Sequence, residues 1–145
     1  LYSALENGDS WRIAEAVYQA ELTTSGEIIV RLAASTPEGD SRAIAEEEYQ
    51  RLGLADHPHQ HGVLIYVSLN LRKVEVVVGP EAAEQIPCEI WQKSAAEIAA
   101  GFKSGTAADG IIAAINTMAT PLAHHFPPGD KPGPELPNIA RDEPQ

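Results

Sequence analysis

Apolar residues recur with two different periods along the first 125 residues, and the alternation between them predicts a sequence of helices and strands. The run 27–33, Glu-Ile-Ile-Val-Arg-Leu-Ala, is rich in β-branched residues and too short for a helix of ordinary length, so it is expected to be the first strand. Residues 63–69 are apolar without alternation, as a strand buried on both faces should be. Across the short connection Asn70-Leu71, residues 72–78 set Lys73 and Glu75 against Val74 and Val76, which predicts a half-exposed strand in an antiparallel hairpin.

Helical spacing fills the intervals. Asp9 or Ser10 can cap a helix over 11–23, with Ile13, Val17 and Ala20 on one face and an end at Ser25-Gly26. Trp11 has no assigned place on it. A second helix runs over 41–52, turning Ile44, Ala45, Tyr49 and Leu52 inward and Glu46, Glu47, Glu48 and Arg51 to solvent. Pro87 opens a third, in which Trp91, Ala95, Ile98 and Phe102 share a face until Ser104-Gly105 ends it. Thr106 to Asp109 form a variant of the capping box before a last helix whose Ile111, Ile112, Ile115, Met118, Ala119 and Leu122 face inward, with Pro121 a candidate kink. The expected fold is an α/β three-layer α/β/α sandwich around a small mixed sheet, with a right-handed first crossover.

Proline changes the picture at the carboxyl end. Residues 126–145 hold six of the eleven prolines, a density that argues against helix or central strand, so the chain divides into one folded unit over 1–125 and an extended Pro-rich tail over 126–145. Charge narrows the partners: 10 Lys+Arg against 21 Asp+Glu leave a net −11 at pH 7. Such a chain repels nucleic acid and anionic lipid, so no nucleic-acid partner is expected, whereas a cation or a basic partner is easily accommodated. No apolar run approaches a bilayer span, and no direct membrane insertion is expected. Residue 1 is leucine, with no secretory pattern after it, which fits a soluble chain that is cytoplasmic or exported with an upstream segment. Cys88 stands alone, excluding an internal disulfide framework and a cysteine-rich zinc site.

Several stretches together carry a resemblance. Ala20-Glu21-Leu22-Thr23-Thr24-Ser25-Gly26-Glu27-Ile28, Gly62-Val63-Leu64-Ile65-Tyr66-Val67-Ser68, Arg72-Lys73-Val74, Ile86-Pro87 with Trp91, and the late helix running into His124-His125-Phe126-Pro127 resemble the TPM domain in order and spacing. Glu135-Leu136-Pro137-Asn138 is similar to its short bacterial branch, in which the domain stands almost alone. The resemblance implies an α/β/α sandwich and calcium or another divalent cation held in some members by acidic loops at one end of the sheet. It also implies a proposed phosphatase activity, plant thylakoid members linked to photosystem repair, and an animal member that assists a receptor. Where similar sequences are acidic before Arg72-Lys73, this chain has Leu71, and their glycine-rich loop after the third strand is here Gly79-Pro80-Glu81.

Together with the acid excess, this makes Glu27, Asp40, Asp56 and Glu81 the candidate cation ligands, provided the loops converge, since calcium wants six or more oxygens. Glu27 has a structural alternative, a carboxylate bonding exposed backbone amides at the helix-to-strand junction. His57-Pro58-His59-Gln60-His61 is a separate candidate: alternate histidines of an extended segment project to one side, offering His57, His59 and His61 to zinc, copper or nickel, with His124 and His125 as further donors. Polarity before a buried strand explains the same histidines without a metal. Cys88, at a helix start, has the setting of an activated thiol but no histidine near it in sequence, and is expected to be structural. No Ser-His-Asp order or phosphate-binding glycine loop is visible, so no catalytic residue is assigned. Two functions follow: a non-catalytic accessory domain that holds a cation and assists a protein partner, membrane-associated by the resemblance, or a metal-dependent phosphatase acting on phosphate monoesters.

Overall fold

A computed structural model describes residues 8–56, 61–129 and 139–141. In chain order the elements are α1 (Asp9–Glu21), β1 (Ile28–Ala33), α2 (Ser41–Arg51), a 3-10 turn (Leu54–Asp56), β2 (Val63–Ser68), β3 (Lys73–Val78), α3 (Pro80–Gln85), α4 (Cys88–Ser104), α5 (Ala107–His125) and β4 (Ile139–Arg141). The sheet has the order β3-β2-β1-β4. β1 and β2 are parallel, with Ile28 opposite Val63 and Ala33 opposite Ser68. β3 returns antiparallel to β2, and β4 pairs parallel to β1.

Every residue of β2 is buried, and all of β1 except Arg31. A parallel pair of this kind has no face to show to water, so helices must cover both sides. On one side Ile28, Val30, Leu32, Val63, Ile65, Val67 and Val76 join a core with Ile13 and Val17 of α1, Trp91 and Ile98 of α4, and Ile111, Ile115, Met118 and Leu122 of α5. On the other, Ile29, Ala33, Leu64, Tyr66 and Val77 meet Ala45 and Tyr49 of α2 and Leu54. The α/β/α sandwich is therefore the fold.

The differences from the sequence-based expectations have local causes. The first helix starts at Asp9 with Gly8 as its N-cap, and neither Gly8 nor Thr106 at the start of α5 makes a side-chain cap bond. Asp109, expected in a capping box, instead pairs with Arg12 of α1. The hairpin loop spans 69–72, longer than Asn70-Leu71, and Arg72 takes a left-handed φ of 55° to close it. Gly79-Pro80-Glu81 is expected as a loop, yet Pro80 begins α3, where its fixed φ suits the first helical turn. Ile139–Arg141, inside the stretch expected to be an extended tail, adds an edge strand to the sheet.

Helices α4 and α5 form the largest helix pair, and Gly105, at φ 77°, supplies the left-handed turn between them. Their backbones nearly touch where Gly101 faces Gly110: a Cβ on Gly110 would lie 2.6 Å from Glu97 O, and one on Gly101 would lie 2.8 Å from Thr106 O. These obstacles are backbone and cannot swing aside. Gly110→Ala should therefore lose about 1–3 kcal/mol in urea unfolding despite alanine's better helix propensity. The same change at Gly129, outside any helix or strand and with nothing within 4 Å, should stay within about 0.5 kcal/mol.

Candidate functional site

The two ends of the parallel strands are separated by the length of β1, six residues or roughly 20 Å. At the carboxyl end, Asp40 is the N-cap of α2, its carboxylate accepting from Arg42 N at 3.0 Å and Ala43 N at 3.2 Å. The adjoining loop is clamped. Asn70 Oδ1 accepts from Thr36 N at 2.8 Å while Nδ2 donates to Thr36 O at 2.9 Å, and the hydroxyls of Thr36 and Tyr66 share a buried bond of 2.9 Å. Ser41 Oγ donates to Glu75 Oε2 at 2.6 Å, and Arg42 reaches Glu46, Glu75 and the carbonyl of Val76. Arg72 and Lys73 stand exposed in the neighbouring hairpin.

The amino end gathers the other described candidates. Glu27 precedes β1 and is 1% exposed; its carbonyl accepts from Val63 N at 2.8 Å. His61 precedes β2, is 4% exposed, and sets its ring 4.3 Å from that of Phe126. Gly79 N donates to Gly62 O, which brings the start of α3, with exposed Glu81, to the same end. Leu54 lies against Gly62, and Asp56, two residues on, is exposed. Glu27, Asp56, His61 and Glu81 thus share one end of the sheet, and Asp40 belongs to the other. Among the described residues no three His, Cys, Asp or Glu are grouped to hold a metal ion. His57 and His59 lie outside the described residues. The exposed pair His124 and His125 ends α5, and Cys88 begins α4, exposed, its Sγ 3.8 Å from Glu89 Oε1.

At the helix-to-strand junction Glu21 also bonds a backbone amide: its Oε2 accepts from Ile28 N at 2.8 Å. Thr24 completes the junction, its hydroxyl shared between the carbonyls of Leu122 and Phe126 while accepting from Gly26 N. This ties the end of α5 to the entry of β1.

A third feature lies away from both ends. Trp11, Tyr18 and Leu22 are 71%, 52% and 56% exposed, while Ile13, Val17 and Ala20 of the same helix are buried. The spacings of seven and four residues place the three on one stripe opposite the core, with Glu15 on the same face, held by Gln19 Nε2 at 2.9 Å. The signal was present in the sequence, because assigning Ile13, Val17 and Ala20 inward leaves large apolar side chains on the outer face.

The TPM domain family model matches residues 3–120. The chain belongs to the TPM domain family. Among solved structures, this TPM domain is similar to the BA42 protein of the psychrophilic bacterium Bizionia argentinensis, with 27% identity, a TM-score of 0.84 and 95% of each chain covered. It also shares the fold of the N-terminal domain of a protein from P. gingivalis, at 16% identity and a TM-score of 0.70 over 86% of this chain and 80% of that one. No curated protein matches.

Electrostatics of the TPM domain concentrate on α2. Hydrogen bonds from Arg51 and then Arg31, at 2.6 and 2.8 Å, hold the Glu48 carboxyl below its ordinary value of 4.5 against the opposing effect of burial. Burial pushes the Tyr49 hydroxyl up to about 12, so it stays protonated beneath the Gly62 carbonyl. Because the folded value of Glu48 is depressed, its contribution is present above the unfolded pKa and lost as pH falls through the folded one. Glu48→Gln should therefore flatten the loss of stability below pH 4.5, read as unfolding midpoints across the acid range. In a separate measurement, Asn70→Ala, which releases Thr36, should cost about 1–2 kcal/mol and shift the amides of residues 34–40.

Proposed function

We propose that this TPM domain is an accessory binding domain that docks a partner protein on the outer face of α1. The observation that carries this reading is the stripe of Trp11, Tyr18 and Leu22. Trp and Tyr side chains are prominent among the residues that carry the energetics of protein interfaces, and the exposure of all three side chains contributes nothing to folding. Glu15 within the stripe and the net charge of −11 select a partner surface that is apolar and basic, such as an amphipathic helix carrying Lys or Arg. The same charge opposes adsorption to anionic lipid. What supports a membrane-associated partner is the family resemblance, and no helix of the described residues is long and apolar enough to cross a membrane itself.

The cation belongs to the same reading. Calcium, or another divalent ion, would be drawn to the amino end of the parallel strands by Glu27, Asp56 and Glu81, with His61 beside them, and the support is the acid excess together with the family resemblance. Asp40 leaves that set, because it caps α2 at the far end of β1. The alternative, a metal-dependent phosphatase for monoesters, asks for carboxylates and a cationic group converging on one ion. The exposed Arg72 and Lys73 could supply the cationic group at the carboxyl end, but of the candidate carboxylates only Asp40 lies there, while Glu27, Asp56 and Glu81 lie at the other end, which favours the accessory reading.

A helical Leu/Lys peptide of amphipathic pattern is the probe. Titrated into the 15N-labelled protein, it should shift amides of α1 saturably, and Trp11→Ser with Leu22→Ser should weaken it about tenfold or more with little change in Tm. Shifts elsewhere, or an unchanged affinity, would contradict docking on α1. A calcium titration of the same sample should move amides near Glu27, His61 and Glu81; no saturable shift there removes the cation from the proposal.

A further inference from the structure

The sheet ends in β3 on one side and in β4 on the other, and side chains guard β3 and the flank of β1 on which β4 lies. Val63 N donates to Glu27 O and Leu69 N to Ala33 O, so the odd-numbered residues of β1 turn their backbone polar groups to β2. Ile28, Val30 and Leu32 therefore turn theirs outward. Glu21 Oε2 takes the Ile28 N–H at 2.8 Å, and Arg31 Nη1 donates to the Leu32 carbonyl at 2.9 Å. β4 covers the part between, with Val30 opposite Ile139, Arg31 opposite Ala140 and Leu32 opposite Arg141. On the opposite edge, Arg42 Nη1 donates to the outward carbonyl of Val76 at 2.7 Å, blunting β3 against strand addition.

β4 is the weakest part of this arrangement. It has three residues against the six of β1, and its parallel register allows few hydrogen bonds. It is joined to α5 by thirteen residues, 126–138, five of them proline, a length that reaches about 40 Å when extended. A short strand on a long connection meets the same backbone groups whether it returns to its own sheet or enters that of a neighbour.

We propose that β4 is exchangeable, and that the edge of β1 is a docking site for Ile139–Arg141 of a second copy of this chain, the two copies trading tails reciprocally. Glu21 and Arg31 frame the site and set its register, since they occupy the outward groups at either end of the paired stretch. The connection favours the internal strand at low protein concentration, and the charge of −11 on each copy opposes their approach. Exchange therefore grows with protein concentration and with salt. The inference is independent of partner docking on α1.

The test uses the full chain. One sample carries 15N; the other carries a nitroxide on a cysteine introduced by Gln145→Cys, and both carry Cys88→Ser, which removes an exposed thiol. Mixed at increasing concentration and salt, the copies should show broadening of 15N amides confined to β1 and the adjoining face of α1. The outward amides of Val30 and Leu32 should also exchange with solvent about tenfold or more faster than the inward amides of Ile29 and Arg31. Ala140→Pro in the spin-labelled copy should abolish the broadening while its amide spectrum stays folded. Absence of broadening at the highest concentration, broadening scattered over the surface, or equal protection of the four amides would overturn the proposal.

Discussion

β1 and β2 lie side by side, parallel, and almost wholly buried on both faces. That burial dictates most of what surrounds them. A doubly buried parallel pair needs a crossover and two helical layers, so α2 closes one face with Ala45 and Tyr49 while α1, α4 and α5 close the other. Closing the second face takes two long helices in near contact, and the facing glycines 101 and 110 permit that approach. The layer is then secured at the junction where Thr24 meets the last carbonyls of α5 and Glu21 meets Ile28.

Once the apolar faces are consumed by the core, polar chemistry is left at the ends of the strands and on the outer surfaces of helices. The carboxyl end, where ligands of open α/β sheets commonly bind, is filled with internal bonds among Thr36, Ser41, Tyr66, Asn70 and Glu75. The amino end buries Glu27 and His61, with exposed Asp56 and Glu81 at the same end. Among the described residues, the large apolar side chains left accessible are on the outer face of α1, and the contrast between the internally bonded carboxyl end and that helix face underlies the accessory reading.

The three principal strands and four long helices were legible because each repeats its period over enough residues to be distinguished. α3 was not: six residues beginning Pro-Glu after a glycine offer less than two turns of periodicity and look like a bend. β4 was hidden by the prolines around it, since nothing local in Ile139–Arg141 announces a pairing with a strand more than a hundred residues earlier. For the candidate site, one further step would have separated Asp40 from Glu27. Glu27 precedes its strand and Asp40 follows the same one, so direction alone puts them at opposite ends. Glu21 could not be found this way, because its role depends on how the chain turns between α1 and β1.

The central claim is that the outer face of α1 is where this TPM domain meets its partner. A photoreactive residue in place of Tyr18, in cells that make the protein, tests it most directly, with the same residue in place of Glu47 on the solvated face of α2 as the comparison. The account expects a discrete protein adduct from position 18 that position 47 does not give. Equal adducts from both positions, or none from position 18, would contradict it.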